Sequence, residues 1–168
     1  MQRPRAPFSL EDAQRAADTW GANCGPGALA AVLDKTLDHV RPHLGDFERK
    51  RYTNPTLMWS ALRSLGVRWK LTYEWPRNGL IRVQWEGPWT APGVPMKARY
   101  RHTHWIGCRS TLGEPGGKVL IFDINCICVG GWVPYQEWEG QVVPWLLRQC
   151  EPKANGRWTT THRVELMK

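Results

Sequence analysis

The stretch NCGPGALAAVL, from Asn23 to Leu33, decides how the chain begins to fold. Its first half belongs to a glycine-punctuated turn that starts at Trp20, and its second half is a short alanine-rich run that favours helix. Pro26 suits the first turn of a helix, so the pattern places Cys24 at or just before a helix N-terminus. Because this run is apolar on most sides, we expect the helix to be buried.

Further helices are predicted on both sides of this stretch. A capping pattern at Ser9 predicts a helix over residues 10–17. Downstream, Asn54 can cap a helix and Pro55 fits its first position, and Gly66 ends the helical pattern.

From residue 67 onward the sequence changes to short runs rich in β-branched and aromatic residues, separated by Pro/Gly segments. These runs predict strands at residues 67–73, 80–85, 104–109, 119–122 and 132–135. Residues 136–149 predict a helix with a break at Pro144. Helices followed by a mostly antiparallel sheet indicate an α+β fold. We expect one domain over residues 1–168, with a helical part over about 9–66 and a sheet part over about 67–168.

Composition excludes several classes of protein. With 168 residues, 42% hydrophobic and 23% charged, the chain is of ordinary globular composition. It has no run of about 18 apolar residues, and its start, MQRPRAPFSLED, lacks the apolar stretch of a secretory signal. Five cysteines at irregular spacing do not fit a disulfide framework. We therefore expect a soluble cytoplasmic protein without a membrane partner.

Three residues have the chemistry and the expected placement of a nucleophilic site. A helix N-terminus lowers the pKa of a thiol, which favours the reactive thiolate of Cys24. His104 opens one predicted strand, and Asp123 with Asn125 follows the end of the next. If those strands are adjacent and antiparallel, His104 and one of the two later residues are neighbours. The spacing permits a Cys–His–Asp triad, in which a base activates the thiol.

The order of these motifs resembles papain-like cysteine peptidases, and most closely the bacteriocin-processing (double-glycine leader) peptidase domains of peptide exporters and their stand-alone relatives. The matching stretches span most of residues 18–140 and read NCGPGALAAVL from Asn23, PTLMWSALRSLGV from Pro55, HWIGCRS from His104 and VLIFDIN from Val119. The resemblance implies a papain-like core in a bacterial or phage protein. It further implies that Cys24 is the nucleophile, His104 the general base and acid, and Asp123 the residue that orients the imidazole.

The sequence departs from these relatives at one position. They carry a Gln about six residues before the nucleophile as an oxyanion donor, and this chain has Asp18 there. Gln14 lies four residues further back, and Asn23 adjoins Cys24. The candidates for an oxyanion or orienting role are Asn23, Asp18 and Asn125, and His102 is an alternative base. The departure keeps open a catalytically inactive papain-like binding protein.

The resemblance implies a cysteine hydrolase that cleaves a peptide, isopeptide or related amide bond, with a peptide or protein as partner. Deamidation and acyl transfer use the same residues, because a thioester can be resolved by water or by an amine. Residues 63–109 carry nine Lys or Arg against two Glu, a net charge of +7 within a total of +8. Such a segment favours an acidic partner. No cofactor is expected.

Two other kinds of site compete with this interpretation. A zinc site could be formed by His102, His104, Cys126 and Cys128. Their spacing is unlike that of common zinc motifs, so we interpret both cysteines as apolar strand residues without a metal.

A nucleic-acid-binding module is the other alternative, because basic residues and tryptophans are interleaved in the 63–109 segment. Those residues are Arg68, Trp69, Lys70, Trp75, Arg82, Trp85, Trp89, Arg99 and Arg101.

Overall fold

The structure is a computed structural model that describes residues 3–21, 23–50, 52–86, 92–93, 100–114, 116–150 and 156–167. Within this part of the chain, helices come first and an antiparallel sheet follows, which confirms the α+β class predicted from the sequence. No helix of the described residues combines the length and apolar character needed to cross a bilayer.

The first helices are held by local capping contacts. They are α1 (Leu10–Trp20), α2 (Cys24–Val32), α3 (Leu37–Val40) with a 3₁₀ turn (Arg41–Leu44), α4 (Phe47–Lys50) and α5 (Pro55–Ser64). The Ser9 hydroxyl accepts the Asp12 N–H, and the Asp12 carboxylate accepts the Ser9 N–H, which forms a capping box. The Asn54 side chain accepts the Leu57 N–H at 2.8 Å and begins α5. Both starts are those predicted from the sequence.

The described strands form a six-stranded sheet in the order β1-β6-β2-β3-β4-β5, and every neighbouring pair is antiparallel. The strands are β1 (Arg68–Leu71), β2 (Asn78–Glu86), β3 (Tyr100–Ser110), β4 (Val119–Phe122), β5 (Trp132–Pro134) and β6 (Trp158–Met167). β1 to β5 coincide with the predicted runs to within a few residues, except that β3 begins four residues earlier. β6 is a strand that the sequence did not predict.

The segment after β5 is helical throughout, without the break expected at Pro144. It consists of α6 (Tyr135–Glu137), a π-helical turn (Trp138–Val142) and α7 (Val143–Gln149). The N–H of Val143 bonds the Trp138 carbonyl, one residue further back than in an α-helix. Pro144 then lies in the first turn of α7, where its missing N–H breaks no helical bond.

Both faces of the sheet are covered. On one face Leu80, Trp105 and Val164 pack against α1, α2 and α5. On the other face Val83 and Ile106, with their neighbours, pack against Trp138 and Val143. Every residue of α2 after Cys24 is buried, as its apolar composition predicted. The helix that carries Cys24 is therefore fixed against the centre of the sheet.

Candidate active site

Cys24 is the first residue of α2 and is half-buried. The amide of the preceding residue, Asn23, donates to the Ala13 carbonyl at 2.8 Å, which ties the start of α2 to α1. The Gly27 N–H closes the first helical bond to the Asn23 carbonyl at 2.8 Å. Cys24 thus sits where the N–H groups of α2 have no partner within the helix and the helix dipole is positive.

Close packing at Gly25 fixes the position of this helix end. A Cβ at Gly25 would lie 2.2 Å from Thr53 Oγ1 and 2.6 Å from Thr53 Cβ, so only glycine fits. The Thr53 carbonyl in turn accepts the indole N–H of Trp105, in β3, at 2.6 Å. The start of α2 is thereby held against the strand that carries His104.

His104 lies on β3 at a place that β4 does not cover. β4 pairs with β3 only from Gly107 to Ser110, so the edge of β3 before Gly107 is open to Cys24. The backbone N–H of Trp105 and the side chain of His104 lie beside the Cys24 sulfur, and both lower the pKa of the thiol. His104 is only 7% exposed, and its ring lies nearly parallel to that of Trp85 with the centroids 6.4 Å apart.

Asp123 holds the other side of the imidazole. Its Oδ2 lies 2.9 Å from His104 Nε2, so Nδ1 is the ring nitrogen left for the Cys24 sulfur. Trp138 donates its indole N–H to the same oxygen at 2.8 Å. The backbone N–H and the side-chain amide of Asn125 donate to Oδ1 at 3.0 and 2.8 Å. Asp123 is fully buried, and these four contacts replace its lost hydration.

The electrostatics favour a thiolate–imidazolium pair. Burial alone raises the pKa of Cys24, but the hydrogen bond and the positive charge of His104 outweigh it, and the pKa lies below the ordinary thiol value. Burial alone lowers the pKa of His104, whereas the Asp123 carboxylate and Cys24 together raise it to about 10. Burial raises the pKa of Asp123, and the His104 charge together with the Trp138 hydrogen bond brings it below its ordinary value. The three groups stabilise one another's charged forms.

The alternative residues for the triad occupy supporting positions. Asn125 does not orient His104; it donates to Asp123, which does. His102 lies two residues before His104 on β3, opposite Trp85, and is partly exposed. The structure therefore brings together Cys24, His104 and Asp123.

Both candidates for the additional oxyanion donor have other partners. Asp18 lies on the exposed side of α1 and accepts a hydrogen bond from the Gln14 amide at 2.9 Å. The Asn23 amide is bonded to the backbone of α1. Neither side chain is directed to the sulfur of Cys24 by these contacts, because each is held within or against α1.

The zinc interpretation does not match the observed placement of the cysteines. Cys126 and Cys128 lie on a 3₁₀ helix (Ile124–Val129), which corrects the expectation that they are strand residues. Cys126 is buried, whereas Cys128 is exposed. No cluster of three or more His, Cys, Asp or Glu suited to a metal ion occurs among the described residues.

The tryptophans of the basic segment pack internally where the structure describes them. Trp69 stacks on Trp59 with the centroids 4.4 Å apart, and Trp75 contacts Tyr135 at 4.9 Å. Trp85 is 3% exposed. Trp89 and Arg99 lie outside the described residues. These contacts leave Trp69, Trp75 and Trp85 engaged in packing rather than in an open row for bases.

Sequence reasoning missed the tryptophan that supports Asp123. Trp138 was placed in a helix, but its contact with Asp123 depends on the π-helical turn, which has no simple sequence signal. It also missed the placement of the Trp105 backbone N–H beside Cys24, which depends on where β4 stops.

Comparison with known proteins gives no further guide to the family. Neither a scan against protein-family models nor a search of curated proteins finds a match to this chain.

Proposed function

We propose that the protein is a cysteine hydrolase that cleaves a peptide, isopeptide or related amide bond through Cys24, His104 and Asp123. The observation that carries the proposal is the linked arrangement of the three side chains. The thiol lies at a helix N-terminus beside a buried imidazole, which lowers the pKa of the thiol, and Nε2 of that ring lies 2.9 Å from a buried carboxylate. This is the pattern of an activated nucleophile, its base and an orienting group.

In the proposed reaction, the Cys24 thiolate attacks the carbonyl carbon of the scissile amide. His104 gives its proton to the leaving amine, and a thioester forms between Cys24 and the acyl group. Neutral His104 then takes a proton from water as the water attacks the thioester, and Cys24 is released. Asp123 keeps Nε2–H of the ring in place and stabilises the imidazolium form.

The start of α2 supplies a place for the developing oxyanion. Cys24 and Gly25 are the first two residues of the helix, so their N–H groups have no intrahelical acceptor. Each such donor, directed at the oxyanion, contributes about 3 kcal/mol to transition-state stabilisation. The Gly25 N–H, beside that of Cys24, would take the place of the Gln side chain that the resembling peptidases use.

The same thioester allows deamidation or acyl transfer, depending on which amide enters and which nucleophile follows. The resemblance to papain-like peptidases favours hydrolysis of a peptide bond. We further propose that the protein works in a bacterial or phage cytoplasm, where thiols remain reduced, because the five cysteines form no disulfide.

A catalytically inactive binding protein of the same fold is the second candidate. The engaged side chains of Asp18 and Asn23 favour it, since the usual side-chain oxyanion donor has no counterpart at either position. This candidate predicts that Cys24→Ala keeps full function.

Incubation with a complex peptide mixture, followed by mass spectrometry, tests the proposal. We expect new cleavage or deamidation products with the wild type and none with Cys24→Ala. The matched control is Cys128→Ala, which removes an exposed thiol outside the triad and should leave activity unchanged. Equal product formation by wild type and Cys24→Ala would contradict the proposal.

A further inference from the structure

Arg82 is a half-buried cation beside the candidate nucleophile. It lies on β2 directly opposite Trp105, whose backbone N–H lies beside the Cys24 sulfur and lowers the pKa of the thiol. Adjacent strands are about 4.8 Å apart, so Arg82 is one strand away from the backbone that holds the sulfur. The guanidinium and Cys24 are close enough to interact electrostatically.

The guanidinium is held in place but is not neutralised. Its Nη1 donates to Thr161 Oγ1 at 3.2 Å. Its Nε is buried and has no hydrogen-bond partner among the described residues. Burial lowers the pKa of Arg82, and the group that counters this effect is Cys24 rather than a carboxylate of the described residues. A partly buried arginine without an acidic partner is costly unless an anion binds it.

A β-bulge orients Arg82. On β6, His162 is the residue opposite Arg82 and Thr160 is opposite Val83, so Thr161 is an extra residue in the ladder. Bulges of this kind often occur next to active sites, where they redirect a side chain. Here the extra residue places its hydroxyl against the guanidinium. Thr161 and His162 also line an open cavity of about 670 Å³ at the end of β1.

We propose that Arg82 binds a carboxylate of the substrate close to the amide that Cys24 attacks, so that acidic peptides are preferred. The assignment rests on the proposed role of Cys24 as nucleophile. Arginine suits this task because its guanidinium stays charged and its remaining N–H groups can donate charge-assisted hydrogen bonds to a carboxylate. Arg82 is thus a substrate-binding residue rather than a member of the triad.

A pair of alkylating reagents that differ in charge tests Arg82 directly. Iodoacetate carries a carboxylate, and iodoacetamide is its neutral counterpart. We expect the ratio of Cys24 alkylation rates, iodoacetate over iodoacetamide, to fall about tenfold in Arg82→Gln and to fall less in Arg82→Lys. The matched control is Arg63→Gln, which removes the same charge from an exposed position in the last turn of α5.

The two proposals fail in different ways. Slow alkylation of buried Cys108 in Arg82→Gln reports that the fold is intact, and the rate of wild-type Cys24 relative to exposed Cys128 reports whether Cys24 is activated. The ratio of the two reagents can be measured whatever the absolute rate. A ratio that is the same in wild type and Arg82→Gln, or that falls equally in Arg63→Gln, would overturn the role of Arg82 without affecting the triad.

Competition identifies which carboxylate is bound. Acetyl-Glu-amide offers a side-chain carboxylate, acetyl-Gln offers a terminal carboxylate, and acetyl-Gln-amide offers neither. Stronger slowing of Cys24 alkylation by the first assigns an acidic side chain, and stronger slowing by the second assigns a chain terminus. If the three compounds act alike, or none of them slows the reaction, Arg82 does not select a carboxylate.

Discussion

Trp138 donates its indole N–H to Oδ2 of Asp123 at 2.8 Å, and the same oxygen lies 2.9 Å from His104 Nε2. The tryptophan is fully buried and is the first residue of the π-helical turn. Its N–H stabilises the charged carboxylate, and through it the imidazolium of His104. Trp138 is therefore a positioning residue that acts on Cys24 through two other side chains.

Replacing Trp138 by Phe should weaken the site. The change keeps most of the ring volume but removes one hydrogen bond to a buried carboxylate, which costs about 1.5–3 kcal/mol of unfolding free energy. We expect the pKa of Cys24 to rise, because the imidazolium form of His104 is then less stabilised. Chemical denaturation and the pH dependence of Cys24 alkylation measure the two effects.

Trp132→Phe is the matched control for this substitution. Trp132 is also fully buried, but its indole nitrogen has no hydrogen-bond partner among the described residues. The control should lose packing without moving the pH profile of Cys24. Equal shifts of that profile in both variants would mean that the Trp138 hydrogen bond is not involved.

Asp123→Asn should disable the site, although the new side chain has almost the same size and shape. The neutral amide cannot balance the positive charge of His104. Its own N–H group would also face neighbouring groups that are themselves hydrogen-bond donors. We expect activity to fall by about 10²–10⁴-fold. Loss of a buried ion-pair partner should also lower the unfolding free energy by about 3–5 kcal/mol. Asp34→Asn, which removes one member of an exposed ion pair with Arg109, should cost less than about 1 kcal/mol.

The two ends of the His104–Asp123 pair make opposite contributions to the pH dependence of stability. The lowered pKa of Asp123 stabilises the fold above the unfolded value of 3.8, and this is lost as pH falls towards about 2. The raised pKa of His104 stabilises the fold fully below 6.5, and this is lost as pH rises through about 10. Unfolding free energies measured across this range should form a plateau with two declines, and Asp123→Asn should flatten both. Declines as steep in the variant would contradict the pairing.

Activity should follow a bell-shaped pH profile. The acid limb reports Cys24, whose pKa lies below that of an ordinary thiol, and the alkaline limb reports proton loss from His104 near pH 10. In His104→Ala, the pH at which Cys24 alkylation becomes fast should rise, because burial then raises the pKa of the thiol with no imidazolium to lower it. A limb that stays in place would show that His104 does not set the pKa of the thiol.

Gly25→Ala should displace the nucleophile. The new methyl group would lie 2.6 Å from Thr53 Cβ, so the start of α2 must shift. We expect a loss of about 1–3 kcal/mol in unfolding free energy and about a tenfold slower alkylation of Cys24. Gly140→Ala is the matched control, since a Cβ there meets nothing within 4 Å. Indistinguishable alkylation rates in the two variants would contradict the close packing.

The sequence predicted those parts of the site that have local signals. Cys24 follows a glycine-punctuated turn and precedes Pro26, which defines a helix start within a few residues. His104 and Asp123 flank apolar runs that are recognisable as strands. Antiparallel pairing then brought them together.

The missed parts depend on contacts between distant segments. β6 is rich in threonine and only its second half is buried, so its place between β1 and β2 follows from pairing rather than from its own hydrophobic pattern. The bulge at Thr161 exists only in the register with β2. The sequence alone therefore did not distinguish Arg82 from the other basic residues. Trp138 meets Asp123 through a π-helical turn that no local pattern specifies.

The most direct test of the central claim is the alkylation rate of each thiol with limiting iodoacetamide near neutral pH, followed by mass spectrometry. Burial raises the pKa of Cys108 and of Cys126 to about 12, so both should react slowly and report on the integrity of the fold. We predict that Cys24 reacts at least about tenfold faster than exposed Cys128, and that His104→Ala removes this advantage while Cys108 stays protected. If Cys24 reacts no faster than Cys128, or keeps its rate without His104, the thiolate–imidazolium pair does not exist and the cysteine-hydrolase account is wrong.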